Sequence, residues 1–380
     1  MFENVTPETL RATGSLKWTA FPDCLGMWVA EMDFGVPPAV SQCLRQRADS
    51  GALGYLPSHL AEELRSATAD LLARDYSWTV DPSGVLLFPD VLTGLRATLT
   101  HVVPDGPVVV PTPAYMPFLT IPGEEDRELI EVPSIVEDGR WKLDYEGLDR
   151  ALAGGGLLIL CNPWNPVGRV LDREELAAVS EIVSWRDAIV FSDEIHAPHV
   201  FEGTHVPYAS LSDQTAAHTV TATSTSKGWN TPGLKSAQVI VSEPIRALLA
   251  APASIIERQI NTVGVEAAIA VYRDSTDWLD AVKGELERNR HRLTDVINTL
   301  PGLSTARPEG TYIAWIDASG LAGTVGSPVE FFRRHGVALT DGALCGTGYD
   351  SYLRLVFGTT GTILDEALDR MAAAVAEATG

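Results

Sequence analysis

Cysteine is scarce in this chain. The four present, Cys24, Cys43, Cys161 and Cys345, form no C-x-x-C pair and no dense framework. That excludes a disulfide scaffold and fits reduced thiols in a cytoplasmic protein. No apolar run approaches the ~18 residues of a membrane span. The opening MFENVTPETLRATGSLKW lacks the basic and apolar regions of a signal peptide, so a cytoplasmic location is expected. Positive charge is also short. Lys plus Arg number 28 against 50 Asp plus Glu, a net charge of −22. Such a surface repels nucleic acid and anionic membrane, and neither is expected as a partner. A buried site can still be locally basic. No repeat or low-complexity tract stands out. There is no G-x-G-x-x-G, and Gly154-Gly155-Gly156 precedes a strand-like run rather than following one, which argues against dinucleotide binding.

What is there suffices for a large core. With 380 residues, 45% apolar and 21% charged, the chain suits one large and one small domain. VLLF at 85–88, PVVVP at 107–111, GLLILC at 156–161, AIVF at 188–191 and QVIV at 238–241 are short and mostly β-branched. They predict buried strands. Asp172 and Glu175 form an Asp-x-x-Glu cap that predicts a helix up to Trp185. Strands alternating with helices imply crossover units and an α/β fold with a mostly parallel sheet. Beyond about residue 270 the texture changes. Trp278, Val282, Leu286, Leu293 and Ile297 recur at helical spacing until Pro301-Gly302 stops them. TYIAWID at 311–317 predicts a strand, and Ile363, Leu364, Ala367, Leu368, Met371 and Val375 a closing amphipathic helix. The expected division is a large domain over 45–270 and a smaller α+β domain from 1–44 plus 271–380.

Several short segments carry chemistry. Ser224-Thr225-Ser226-Lys227-Gly228 follows the strand-like HTVTAT. A partly desolvated lysine there holds a neutral amine for Schiff-base chemistry; taken alone, the segment fits a surface lysine in a hydroxyl-rich loop equally well. The same residues match S-x-x-K, but the S-D-N and K-T-G companions of serine hydrolases are absent. Asp193 in FSDEIH ends a buried strand, where it can pair with a protonated pyridine nitrogen or simply cap a turn. His196 and His199 form H-x-x-H, yet Pro198 argues against the helix a metal site would need, and no metal is expected. Asn162-Pro163-Trp164-Asn165-Pro166-Val167-Gly168 predicts a rigid loop at the sheet's carboxyl edge, where α/β ligands bind. Asp90-Val91-Leu92-Thr93-Gly94 opens a helix whose first amides suit a phosphate.

In order and spacing these residues resemble the fold type I enzymes of pyridoxal 5'-phosphate (PLP), the class I/II aminotransferase superfamily with the aspartate-aminotransferase fold. The finer resemblance is to the cystathionine β-lyase and cystalysin-like C–S lyases, the MalY/PatB subfamily. It rests on Trp28-Val29-Ala30-Glu31-Met32-Asp33-Phe34, Gly54-Tyr55, Thr112-Pro113-Ala114-Tyr115, CNPWNPVGRV, SDEIH, SKGWNTPGLK and YLRLVF, and it runs over nearly the whole chain. The resemblance implies that Lys227 carries PLP as a Schiff base and shuttles the Cα proton. Asp193 would pair with the pyridine N–H. Asn165 would bond the ring 3'-oxygen, with His196 nearby, and Tyr115 would stack on the ring. The Leu92 and Thr93 amides, Ser224 and Lys235 would hold the phosphate. Tyr55 would reach the phosphate of a neighbouring subunit, implying a homodimer. Arg354 would grip the α-carboxylate of an amino-acid substrate, and Trp28 would line the entrance.

The implied reaction is β-elimination from an L-cysteine S-conjugate such as cystathionine, giving thiol, pyruvate and ammonia. Transamination and decarboxylating oxidative deamination, the latter known in antibiotic pathways, are the alternatives; a non-catalytic PLP protein is a third, against which the intact Lys227, Asp193 and Arg354 argue. Five departures from the subfamily pattern keep the alternatives open. Glu31 stands for the usual Asp, Trp164 for His, Gly228 for Ala or Thr, and Val356 and Gly358 for Asn and Ala. All five are expected around the substrate pocket.

Overall fold

The computed structural model describes residues 5–103 and 105–380. Its large sheet is built from β1 (Val85–Phe88), β2 (Val108–Thr112), β3 (Leu129–Pro133), β4 (Leu157–Cys161), β5 (Ile189–Asp193), β6 (Thr219–Ser224) and β7 (Ala237–Val241). Their spatial order is β1-β7-β6-β5-β4-β2-β3. All pairings from β6 to β3 are parallel, and β7 alone runs antiparallel to both neighbours. The expected α/β architecture is therefore found, with the strands where the apolar runs put them. Asp172 caps the helix Arg173–Trp185 through the reciprocal box with Glu175.

This topology delivers chain to one edge. The carboxyl ends of the parallel strands release the segments after Thr112, Cys161, Asp193 and Ser224 side by side. Because β7 is antiparallel, its beginning lies there too: Ala237 pairs with Ser224 on one side and Phe88 on the other. Lys235 thus arrives beside Ser224 and the loop after Phe88. The helix Val91–His101 packs tightly against the sheet under this edge. A Cβ on Gly94 would stand 2.9 Å from Val239 Cγ2, so only glycine permits this approach.

A second sheet comprises β8 (Ser304–Thr305), β9 (Ile313–Asp317), β10 (Thr340–Asp341) and β11 (Tyr352–Val356), in the antiparallel order β8-β9-β11-β10. The N-terminal segment returns to this part of the molecule, where Leu25–Gly26 pairs in parallel with Val337–Ala338. The long helix Thr276–Ile297 and the closing helix Gly361–Thr379 pack together beside the sheet. One apolar cluster runs from Val85, Leu87 and Ile240 of the large sheet to Ile313, Leu355 and Leu364. The two sheets are joined by continuous core. Among the described residues no helix is long and apolar enough to cross a membrane.

Candidate active site

Lys227 sits one turn past β6, in the short helix Thr225–Gly228 that Ser224 caps. Its half-buried amine donates to the Ala30 carbonyl at 2.9 Å. Burial, reinforced by the Arg354 charge, lowers the amine to about 8, against the pull of Glu31 and Asp193. A large fraction is then neutral and nucleophilic near pH 8. The next residue must be small. A Cβ on Gly228 would lie 2.9 Å from Pro198 Cγ, so the Gly228 departure answers to packing.

Asp193 ends β5 with 5% of its surface exposed. Burial raises its carboxyl to about 7, opposed by the Ile195 N–H that donates to Oδ1 at 3.1 Å and by Lys227. A cation brought to this carboxylate would hold it ionised. His196 and His199 are fully buried. Burial first, then the charge of Lys227, lowers His196 well below its ordinary value, and burial lowers His199 to about 4. Both rings pack edge-on against Tyr312, at 5.8 and 5.2 Å between centroids. Among the described residues no group of three or more His, Cys, Asp or Glu is placed to hold a metal.

Arg354 projects from β11, held from three sides. It donates to the Trp28 carbonyl at 2.9 Å, to Asn165 Oδ1 at 3.3 Å and to Thr340 Oγ1 at 3.4 Å. Thr340 donates to the same Trp28 carbonyl at 2.7 Å. No anion faces the guanidinium among these partners. Tyr115 lies half-buried after β2, edge-on to Phe118 at 5.4 Å. Burial raises its phenol, against the lowering effect of Arg354.

The basic end of the site is organised by a residue absent from the expected set. Asp90 accepts from the Thr93 N–H at 2.8 Å and the Thr93 hydroxyl at 2.7 Å. Its other oxygen accepts from Lys235 at 3.0 Å. Burial pushes the Asp90 carboxyl up, but these bonds prevail and hold it below its ordinary value. Ser224 is more committed than its sequence position implies. Its hydroxyl donates to the Ser236 carbonyl at 2.8 Å and lies 2.7 Å from the Ser226 hydroxyl.

Most of the expected residues are brought together. Lys227, Asp193, His196, Tyr115 and Arg354 interact electrostatically, Asn165 accepts from Arg354, Thr93 and Lys235 meet on Asp90, and Ser224 bonds the Ser236 carbonyl next to Lys235. Trp28 joins them through its carbonyl, while its indole donates to the Lys17 carbonyl at 3.1 Å. Tyr55 stands apart, 93% exposed beside the 69% exposed Leu53. Sequence reasoning missed Tyr312, Thr340, Asp90 and the carbonyls of Trp28 and Ala30. Tyr312 reads as one more aromatic in a strand-like run, and a carbonyl has no signature in a one-letter code.

Four of the five departures have a packing explanation. Trp164 is buried in the core and donates its indole N–H to the Pro113 carbonyl at 2.9 Å. Gly228 packs on Pro198. Val356 is a buried β11 residue paired with Ile313. A Cβ on Gly358 would come within 3.0 Å of Met32 and 3.1 Å of Tyr312. Each answers to local packing, which a linear motif comparison does not show. Only Glu31 acts electrostatically on Lys227.

The residues fit PLP. Among the described residues the buried His196 Nδ1 and Arg354 Nε have no hydrogen-bond partner, which is rare for buried polar atoms and leaves them for a ligand's oxygens. An amine, a buried carboxylate and a lysine at the helix start would suit the aldehyde, pyridine nitrogen and phosphate of PLP. The chain belongs to the family described as aminotransferase class I and II, whose match spans residues 22–371; it is a PLP-dependent enzyme with the aspartate-aminotransferase-like fold. It is 35% identical to the cystathionine β-lyase of Corynebacterium glutamicum, over 96% of this chain and 98% of that one. It is 31% identical to the cystathionine β-lyase PatB of Bacillus subtilis, over 96% and 97%. The crystal structure of cystalysin from Treponema denticola, which contains PLP, superposes with a TM-score of 0.91 at 25% identity, covering 98% of both chains.

Proposed function

We propose that this protein is a carbon–sulfur β-lyase that cleaves L-cysteine S-conjugates of the cystathionine kind to a thiol, pyruvate and ammonia. The observation that carries the reading is the Lys227 amine, lowered to about 8 and facing Arg354, whose guanidinium has no anionic partner among its hydrogen bonds. The relatives named cystathionine β-lyase support the choice of reaction.

When bound, PLP supplies an electron sink for the charge left at the substrate Cα. Arg354 grips the α-carboxylate in its fork, and Asn165 steadies that fork from below. The grip aims the Cα–H at Lys227 Nζ, which removes the proton as general base. The thiolate then leaves from Cβ, and water completes the release of pyruvate and ammonia. Lys227, with water, can return the proton to the departing sulfur. Asp193 would keep the pyridine nitrogen protonated. Tyr115 would cover the ring, with Asn165 and His196 toward its 3'-oxygen. The Leu92 and Thr93 amides, Ser224 and Lys235 would hold the phosphate, and Trp28 would line the entrance.

The exposure of Tyr55 and Leu53 supports a homodimer in which Tyr55 completes the partner's phosphate site. The same reading assigns residues 45–270 to the cofactor domain, 1–44 and 271–380 to the smaller one, and the protein to the cytoplasm. Incubation with L-cystathionine and with S-alkyl cysteines tests the function. Pyruvate and thiol in equal amounts are expected. Keto-acid-dependent amino transfer or release of CO2, without thiol, would replace the lyase by transamination or decarboxylating deamination.

A further inference from the structure

Two donors meet on the Ala30 carbonyl: the Lys227 amine at 2.9 Å and the Tyr312 hydroxyl at 3.0 Å. This oxygen is held firmly. Lys17 donates to the Glu31 carbonyl at 3.0 Å. Asn230, three residues after Lys227, clamps Met32 from both sides, accepting from its N–H at 2.8 Å and donating to its carbonyl at 2.8 Å. Tyr312 is equally fixed. It is fully buried, wedged against the His196 and His199 rings, with Gly358 leaving it room. Burial raises its phenol far above the ordinary value, so it remains a neutral donor throughout the working pH range.

A carbonyl oxygen holds an ammonium more strongly than a neutral amine, because charge assists the bond. A second donor on the same oxygen draws on its electron density and weakens that preference. We propose that Tyr312 is a positioning residue for Lys227: by sharing the Ala30 carbonyl it fixes where the free amine rests and keeps that place from favouring the protonated form.

This rests on Lys227 being the lysine that attaches the cofactor. Its amine is free before attachment, and again once a substrate amine has displaced it. Four charged or titratable groups face it besides Tyr312. Arg354 from β11 disfavours the ammonium, Glu31 and Asp193 favour it, and His196 from the segment after β5, kept neutral by its burial, adds no charge. His199 fixes the backbone of the same residue, its Nε2 lying 2.9 Å from the Lys227 carbonyl. Tyr312 adjusts the balance without adding charge.

The test uses cofactor-free protein and follows PLP capture by absorbance between pH 6 and 10. Capture needs the unprotonated amine, so its rate rises with pH. Tyr312→Phe removes one oxygen and leaves the Ala30 carbonyl bonded to Lys227. The midpoint should move up by about half a pH unit or more, slowing capture at pH 7 by about threefold. Binding of pyridoxine 5'-phosphate, which has the ring and phosphate but no aldehyde, should not change. Coincident midpoints overturn the proposal. So does an equal weakening of both ligands, or a variant too unstable to measure, since either assigns Tyr312 to the fold alone. If the wild type captures no PLP and binds no pyridoxine 5'-phosphate, the reading of Lys227 itself fails.

Discussion

Lys17 and Asp33 form a buried ion pair at 2.8 Å, with side chains 0% and 3% exposed. Asp33 also accepts from the Trp18 indole at 2.8 Å, and its own N–H donates to the Gly358 carbonyl at 2.9 Å. The pair anchors the segment 28–34, whose Trp28 and Ala30 carbonyls receive Arg354 and Lys227. A buried pair need not stabilise more than an apolar substitute would, but breaking one half strands a charge.

Lys17→Ala should therefore cost about 3–5 kcal/mol of folding stability. Lys17→Met should cost nearly as much, because Asp33 stays unpaired. Pairing Lys17→Met with Asp33→Asn should recover part of the loss. Denaturant unfolding of the three variants measures this. A double variant no better than Lys17→Met would show that the anchor is not electrostatic.

On the proposed reading, Asp90, which accepts from Lys235 at 3.0 Å, would compete with a bound phosphate for it. Asp90→Asn keeps the helix cap, since Asn serves that position as well as Asp, and removes a negative charge from the phosphate's surroundings. PLP should bind several-fold more tightly. Lys235→Ala should weaken it by about tenfold or more, the loss of one charge-assisted bond. Cofactor titrations followed by tryptophan fluorescence read both. Weaker binding in Asp90→Asn would show that Asp90 positions Lys235 instead of competing for it.

Acid should destabilise the cofactor-free protein in a defined window. His199, lowered to about 4 by burial, is neutral when folded, but in the unfolded chain it protonates near its ordinary value. As pH falls through about 6.5 the unfolded state takes up a proton that the folded state refuses, so stability drops until about pH 4. One such histidine contributes at most about 1.4 kcal/mol per pH unit there. His199→Gln should lessen the slope of melting temperature against pH between 6.5 and 4. An unchanged slope would place the acid sensitivity elsewhere.

Trp164 fills core and should matter to the fold more than to the substrate. Trp164→Ala should cost about 3–5 kcal/mol, whereas Trp164→Phe loses chiefly the bond to Pro113, about 1 kcal/mol. The order of preference among S-substituted cysteines should be the same in Trp164→Phe and wild type. A reordered preference would return Trp164 to the pocket.

Much of this architecture is legible along the chain because its causes are local. Short β-branched runs predict strands at 85–88, 156–161 and 238–241, and the Asp172–Glu175 box starts its helix, since a cap involves residues three apart. Lys227 and Asp193 are legible through motifs set at or beside a strand end, and Arg354 through the YLRLVF run in which it sits mid-strand. The antiparallel sense of β7, which brings Lys235 to Ser224 and Phe88, is not. Apolar runs have no direction, and only pairing supplies one.

What the residues determined by themselves is the alternation of elements, and the amine, carboxylate and guanidinium that the chemistry needs. What only tertiary structure decided is the field those groups work in. The Lys227 amine falls to about 8 because burial and Arg354, 127 positions away in the chain, outweigh Glu31 and Asp193. It rests on Ala30, and the same carbonyl receives Tyr312. Desolvation and shared acceptors depend on distances through space, and no spacing along the sequence encodes them.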